Sequence, residues 1–264
     1  MATLSLLPPS TSLRSSSSSA PPARRSLVVR AQSAPVLTQD ELKKQAASKA
    51  VEFVSSGMVL GLGTGSTAAF VVAEIGDLLA SGKLGDIVGA LSLGIPLSTL
   101  DDHPHIDLAI DGADEVISDP SSIDRSICQA AGSAPAGKMV EAASDKFVVV
   151  VDDTKLVDGL GGSGLAMPVE VVQFCWKYNL TRLQELFKEE GCEAKLRLDP
   201  DGKPYVTDNS NFIVDLYFST PIRDASAAGR EISAFEGVVE HGLFLDMATE
   251  VIIAGSGGVS IKTK

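Results

Sequence analysis

Between Leu37 and Ala80 the apolar positions change period twice. In LTQDELKKQAASKAVEFV they fall at Leu42, Ala46, Ala50 and Val54, a spacing that predicts a helix with Thr38 as its N-cap. MVLGLG is a short unbroken apolar run and predicts a strand, GTGST has no apolar residue, and TAAFVVAEIGDLLA returns to helical spacing. IDLAI and KFVVVV are further continuous runs that end at DGADE and DDTK. Continuous rather than alternating hydrophobicity belongs to strands covered on both faces, so these segments predict a parallel sheet flanked by helices.

From Leu165 to Phe244 the rhythm differs. MPVEV predicts a strand, and FCWKYNLTRLQELFKEEG a helix with Leu180, Leu183 and Phe187 on one face. KLRLD, the turn PDGK and FIVDLYF predict a hairpin, DASAAGREISAFEG a second helix and VVEHGLF a strand. That β-α-β-β-α-β order is the split ferredoxin-like pattern. TEVIIAG and GVSIKTK then add two last strands. The predicted class is α/β: a Rossmann-like parallel-sheet domain from residues 31–160 and 245–264, with a smaller inserted ferredoxin-like α+β domain at 165–244. GLGGSG, Gly159 to Gly164, is the expected hinge between them.

The first residues follow neither rhythm. They are rich in Ser and Pro, carry Arg14, Arg24, Arg25 and Arg30, and hold no acid before Asp40. Such composition buries no core and matches a transit peptide, with Ser so far above Arg that a chloroplast is expected over a mitochondrion. A secretory signal needs a longer apolar run than SLL or SLVV. Residues 1–30 are therefore expected to direct the chain to the chloroplast stroma and to be removed. Their loss takes four arginines and no acids, moving the formal charge from −12 to −16. Acidity of that size argues against nucleic acid as a partner but leaves room for a phosphate in a local pocket. No stretch nears the roughly 20 apolar residues of a membrane-spanning helix. Cys128, Cys175 and Cys192 form no CxxC and read as reduced thiols.

Taken singly, the chemical motifs are weak. A strand, glycine loop and helix N-terminus can cradle a phosphate, but a tight turn with no ligand uses the same residues. GLGTGST lacks the third glycine of a dinucleotide fingerprint and the GK[ST] of a P-loop, which disfavours a nucleotide-binding oxidoreductase. Asp111 and Asp114 in DGADE, and Lys155 in DDTK, follow strand ends, where open α/β sheets place their sites, yet each also fits a solvated turn. His103 and His105 read as loop residues and His241 as a strand residue, with no acids spaced for a metal site. No metal or cofactor is expected.

In combination and order, GTGST, DGADE, DDTK and LAMPVEV, followed by KPYVTDNSNFIVD and EHGLFLDMATEVIIAG, resemble ribose-5-phosphate isomerase of the A type, in its plant chloroplast form, from about Leu37 to Lys264. The resemblance implies metal-independent interconversion of D-ribose 5-phosphate and D-ribulose 5-phosphate in the pentose phosphate pathway and Calvin cycle, by a homodimer or larger homo-oligomer. It implies that Thr64, Gly65, Ser66 and Thr67 hold the substrate together with Asp111, Gly112, Ala113, Asp114 and Lys155. Asp111, Asp114 and Lys155 carry the implied catalytic roles. Moving a carbonyl from C1 to C2 through an enediolate requires a carboxylate to take a C–H proton and donors to steady the oxyanion.

Two segments depart from the family pattern. DIVGALSLGIPL is about a dozen residues short, around residues 93–96, and ISDPSSIDRSICQAAGSAPAGK stands where the family has a KGRGGALLREK-like run. The family base is the glutamate just before the lysine that corresponds to Lys138, and here that position is Gly137. Asp119, Asp124 and Glu141 lie nearby as substitutes, but the Ser, Pro, Ala and Gly content of 117–137 predicts an irregular loop that would hold a base poorly. Cys128 reads there as an incidental thiol. Two readings follow: an isomerase, or an impaired relative that binds sugar phosphate or pairs with intact subunits.

Overall fold

The computed structural model describes residues 37–89, 99–118, 126–129 and 134–263. The expected transit peptide at 1–30, the shortened segment at 93–96, and Asp119 and Asp124 lie outside the described residues.

Helix α1, Gln39–Val51, begins as its sequence predicts: Thr38 accepts from the Glu41 backbone, and the Glu41 carboxylate accepts from the Thr38 N–H in return. Strand β1, Val59–Leu62, leads through the glycine loop to α2, Ser66–Ala80, and then to β2, Val88–Gly89. After them come β3, Leu108–Asp111, and β4, Glu115–Ile117. The substituted segment takes regular structure in its described part, where its composition predicts an irregular loop. It contributes β5, Ile127–Cys128, both residues buried, and α3, Ala134–Ala142, which carries Gly137, Lys138 and Glu141. Strand β6, Phe147–Asp152, a 3₁₀ turn over Asp153–Lys155 and β7, Leu156–Val157, complete this half.

In the next part β8, Met167–Val171, precedes α4, Trp176–Leu186. That helix starts two residues later than expected because Cys175 adopts a left-handed conformation (φ 57°), which a right-handed helix does not admit. Strands β9, Glu193–Leu196, and β10, Phe212–Tyr217, pair antiparallel in the register Val214↔Leu196 and Tyr217↔Glu193. The PDGK turn is real, with Asp199 Oδ1 accepting from the Asp201 and Lys203 N–H groups, but it closes only the small bridge Leu198↔Pro204 rather than the β9–β10 hairpin itself. Helix α5 is Ala225–Ser233, capped by Asp224. VVEHGLF divides into β11, Val238–His241, and β12, Leu243–Phe244, at Gly242. There a Cβ would lie 2.5 Å from the Gln129 carbonyl oxygen and 2.6 Å from Pro168, so only glycine lets the chain cross between sheets.

Strands β13, Glu250–Gly255, and β14, Gly258–Thr263, form the closing hairpin. The main sheet has the order β14-β13-β6-β3-β1-β2, parallel except for β14. Its two faces alternate as two-sided burial requires: Leu108, Ile110, Val148 and Val150 pack beneath α1 and α2, while Ala109, Phe147, Val149 and Val151 face Val116, Ile127 and Phe244. A separate antiparallel sheet has the order β11-β8-β10-β9, the arrangement a split β-α-β-β-α-β unit gives, with α4 and α5 on its apolar side. A third sheet, β12-β5-β4-β7, is one that strand-by-strand reading of the sequence does not show. The described residues form one compact unit.

Candidate functional site at a strand-order switch

From β1 the chain moves outward on one side to β2, whereas β3 and β6 lie on the other side. Strand order therefore reverses between β1 and β3, and beyond their carboxyl ends an open α/β sheet leaves a crevice. The loop after β1 (Gly63 to Thr67), the loop after β3 (Gly112 to Asp114) and the 3₁₀ turn after β6 (ending at Lys155) all emerge there.

The first two loops are in direct contact. A Cβ on Gly63 would sit 1.6 Å from Asp111 Oδ1, so a glycine is obligatory where the two strand ends meet. Thr67 is buried, and its Cβ lies 3.7 Å from where a Gly112 side chain would begin. Gly65 is the N-cap of α2 with no side-chain cap, which leaves the first-turn N–H groups of that helix for a ligand. Thr64 and Ser66 are exposed beside them. Lys43, half-buried on α1, donates to Ser66 Oγ at 3.1 Å and brings a cation to the same helix end. Sequence reading passed over Lys43, because a lysine in a surface helix carries no signal until the helix is docked.

On the other side Asp111 is half-buried at the end of β3. Its Oδ1 accepts from the Gly112 N–H at 2.6 Å and its Oδ2 from Gln129 Nε2 at 3.0 Å, while Gln129 also donates to the Gly112 carbonyl at 2.7 Å. Burial raises the Asp111 carboxyl above the usual range against these hydrogen bonds, and the Asp114 charge adds to the rise. Lys155 Nζ lies 3.3 Å from Asp114 Oδ1. Ala113 packs beneath, against the Val116 and Phe147 cluster. The residues picked out from GTGST, DGADE and DDTK thus line one continuous patch.

Helix α3 approaches from beneath. A Cβ on Gly61 in β1 would come within 2.3 Å of Val140 Cγ1, so the helix lies almost on the backbone of that strand. This brings Glu141, 5% exposed, into hydrogen-bonding contact with Asp111. Burial first, then the Asp111 charge, push the Glu141 carboxyl up to about 9. Gly137, one turn earlier, has open space where a side chain would project. Lys138 turns the other way: its Nζ donates to Glu240 Oε1 at 2.7 Å and the His241 carbonyl at 2.7 Å, and lies 3.3 Å from His241 Nδ1. It stands 5.1 Å from the centroid of the Phe244 ring. Burial lowers the Lys138 pKa, with Glu240 opposing. His241, at the end of β11 as expected, is buried and falls to about 4, through burial and then the Lys138 charge. Cys128, buried in β5, has its thiol pushed well up by burial, which suits a packing residue rather than a nucleophile.

Elsewhere, GLGGSG is clamped rather than free: the buried Glu115 carboxylate accepts from the Gly161 N–H at 2.5 Å and the Ser163 N–H at 2.9 Å. His105, Asp107 and Asp145 bring ligand-type atoms within 4.8 Å of one another, a grouping the sequence spacing hid. They precede β3 and β6 at the opposite end of the sheet from the crevice, and they satisfy local partners, Asp107 accepting from the Val59 N–H at 2.7 Å and His105 pairing with Asp145 at 2.9 Å.

The family described as ribose 5-phosphate isomerase A (phosphoriboisomerase A) matches residues 88–258. A probable ribose-5-phosphate isomerase 3, chloroplastic, of Arabidopsis thaliana is 64% identical, covering 99% of this chain and 96% of its own length. Among solved structures, a ribose 5-phosphate isomerase of Plasmodium falciparum superposes with a TM-score of 0.78 at 37% identity, covering 85% of this chain and 99% of the other. A D-ribose-5-phosphate isomerase in complex with phospho-erythronic acid gives 0.78 at 34% identity, covering 86% and 100%.

Proposed function

The chain belongs to the ribose 5-phosphate isomerase A family, and on that premise we propose that the crevice beyond β1, β3 and β6 interconverts ribose 5-phosphate and ribulose 5-phosphate through an enediolate. The observation that carries this reading is the pairing, across one crevice, of an uncapped helix N-terminus beside Lys43 with the Asp111, Asp114 and Lys155 group.

The phosphate fits the α2 end, where N–H groups and the helix dipole favour an anion and Lys43 adds a full charge. Thr64, Gly65, Ser66 and Thr67 supply that cradle. The sugar then extends toward Asp111 and Asp114, whose carboxylates accept from its hydroxyls. Lys155, beside Asp114, is placed to steady charge developing on the carbonyl oxygen as the enediolate forms. Calorimetry with phospho-erythronic acid checks the pocket. Asp111→Asn should weaken binding at least about tenfold, since a charge-assisted acceptor is worth about 1.5–3 kcal/mol. Unchanged affinity would place the sugar elsewhere.

One observation favours a second reading, an impaired family member: α3 presents no carboxylate at Gly137. Counting back along the KGRGGALLREK pattern from Lys138 also puts Cys128, a buried uncharged thiol, where the motif begins with a lysine. Such a chain would bind sugar phosphate and turn it over slowly, or act by pairing with intact subunits. A rate assay on the purified chain separates the two.

The chloroplastic name of the Arabidopsis relative, together with the Arg- and Ser-rich leader, supports a plastid location. We read residues 1–30 as the transit peptide, the stroma as the working compartment, and the Calvin cycle and pentose phosphate pathway as the setting. The same reading takes residues 165–244 as an inserted domain and the assembly as a homodimer or larger.

A further inference from the structure

We infer that Asp111 and Glu141 form a carboxyl pair sharing one proton, and that this pair supplies the base that Gly137 lacks, with Asp111 touching the sugar and Glu141 positioning it from beneath. The inference rests on the isomerase reading and adds the identity of its base.

The two side chains come from different elements, the end of β3 and the last turn of α3, and meet in hydrogen-bonding contact. Asp111 is open to the crevice, whereas Glu141 is 5% exposed behind it. Glu141 Oε2 has no hydrogen-bond donor among the described residues. An ionised carboxylate in that position would be buried and unsatisfied, whereas a carboxylic acid donating to Asp111 is not. Two carboxyl groups in contact do not both ionise readily, so one proton stays between them. Asp111 is then the ionised member, fixed by the Gly112 N–H and Gln129. Asp114 is matched by Lys155 at 3.3 Å and reads as an acceptor of hydroxyls rather than a base. Glu141 is also four residues beyond Gly137, on the same face of α3.

The step balances within substrate and pair. Asp111 takes the proton from C2 of the open-chain aldose. The C–H electrons form the C1–C2 double bond, and the carbonyl electrons move to O1. Return of that proton to C1, with transfer of the O2 proton to O1, gives the ketose. Protonated Glu141 stays hydrogen-bonded to Asp111 throughout and sets its basicity. The charged groups facing the pair are Asp114 beyond β3, which repels it, and Lys138 on α3, itself held by Glu240 of β11.

The test compares the full chain with Glu141→Gln by steady-state kinetics across pH and by infrared spectroscopy of the carboxyl groups. The unmodified chain should show a protonated-carboxyl band at neutral pH and lose activity on an alkaline limb near 9, as the shared proton leaves. In Glu141→Gln that band and that limb should disappear. The kcat should fall by less than about tenfold, because the amide still donates to Asp111 as the carboxylic acid does, with KM unchanged. Glu141→Asp should restore the limb. The band is read on the unmodified chain, so it decides even where the variant fails to fold. A missing band, or an unaltered profile in Glu141→Gln, overturns the pair and leaves the isomerase reading standing. A chain that binds ribose 5-phosphate without converting it overturns the isomerase reading, and the pair's role as base with it.

Discussion

At the scale of single residues, His241 shows what burial adds to a strand assignment. The sequence reads it only as a strand residue, with no sign of its surroundings. Docked against Lys138 and 5% exposed, it is held neutral, with a pKa near 4 against 6.5 when free. Between those values the unfolded chain binds a proton that the folded chain refuses. Stability therefore falls as pH drops from 6.5 toward 4, by about 3 kcal/mol at the low end. Denaturant titrations at several pH values should show that slope, and His241→Gln, which keeps an acceptor for the Leu243 N–H, should flatten it. A slope unchanged in the variant would assign the acid sensitivity to other groups. Lys43 and Gln129 teach the complementary lesson. Their types and spacings carry no motif, and only α1 docking on α2 and β5 pairing with β4 bring them to the crevice.

At the scale of elements, α3 changes the reading most. Ser, Pro, Ala and Gly suggest a loop from 117 to 137, and a loop would leave a lone Gly137→Glu with little to hold it. The helix from Ala134 to Ala142 instead offers a formed turn and open space at that Cβ. Replacing the glycine should stabilise the helix by about 0.5–1 kcal/mol and raise kcat by about tenfold or more. A coupled rate assay that finds no gain would show that the carboxylate is presented away from C2. The same helix is placed by Gly61. Gly61→Ala would force its Cβ into Val140, a β-branched residue with little rotamer freedom, and push α3 off the sheet. Overpacking of this kind costs about 1–3 kcal/mol. Turnover should fall further than stability predicts, because Glu141 moves with the helix away from Asp111. Melting curves and kcat measured on one preparation check this, and a variant that loses stability alone would show that α3 position does not govern the chemistry.

At the scale of the whole molecule, the acidic body and the arginine-bearing leader are separate in chemistry. With four arginines and no acids, residues 1–30 suit import, whereas the remainder carries the whole negative charge. A fluorescent fusion of residues 1–39 should enter plastids, and a purified organelle fraction should contain a chain shortened by about thirty residues. A fusion that remains in the cytosol would remove the transit reading. The sheet order also belongs to this scale. A reversal between β1 and β3 makes the crevice, and it follows from which side of β1 each later strand joins.

The sequence alone determined what depends on near neighbours. Continuous apolar runs gave the buried parallel strands, helical spacing gave α1 and α2, Thr38 and Glu41 gave a cap, and the ordered motifs gave the family. Tertiary structure decided what depends on contacts distant in sequence. It divided VVEHGLF at Gly242, because Pro168 and Gln129 leave room there for no side chain. It built a third sheet from two- and three-residue strands too short to carry a period. It also set Glu141 against Asp111 across thirty residues of chain. A carboxylic acid and a carboxylate have the same letter in a sequence, and only burial in a shared, water-poor space distinguishes them.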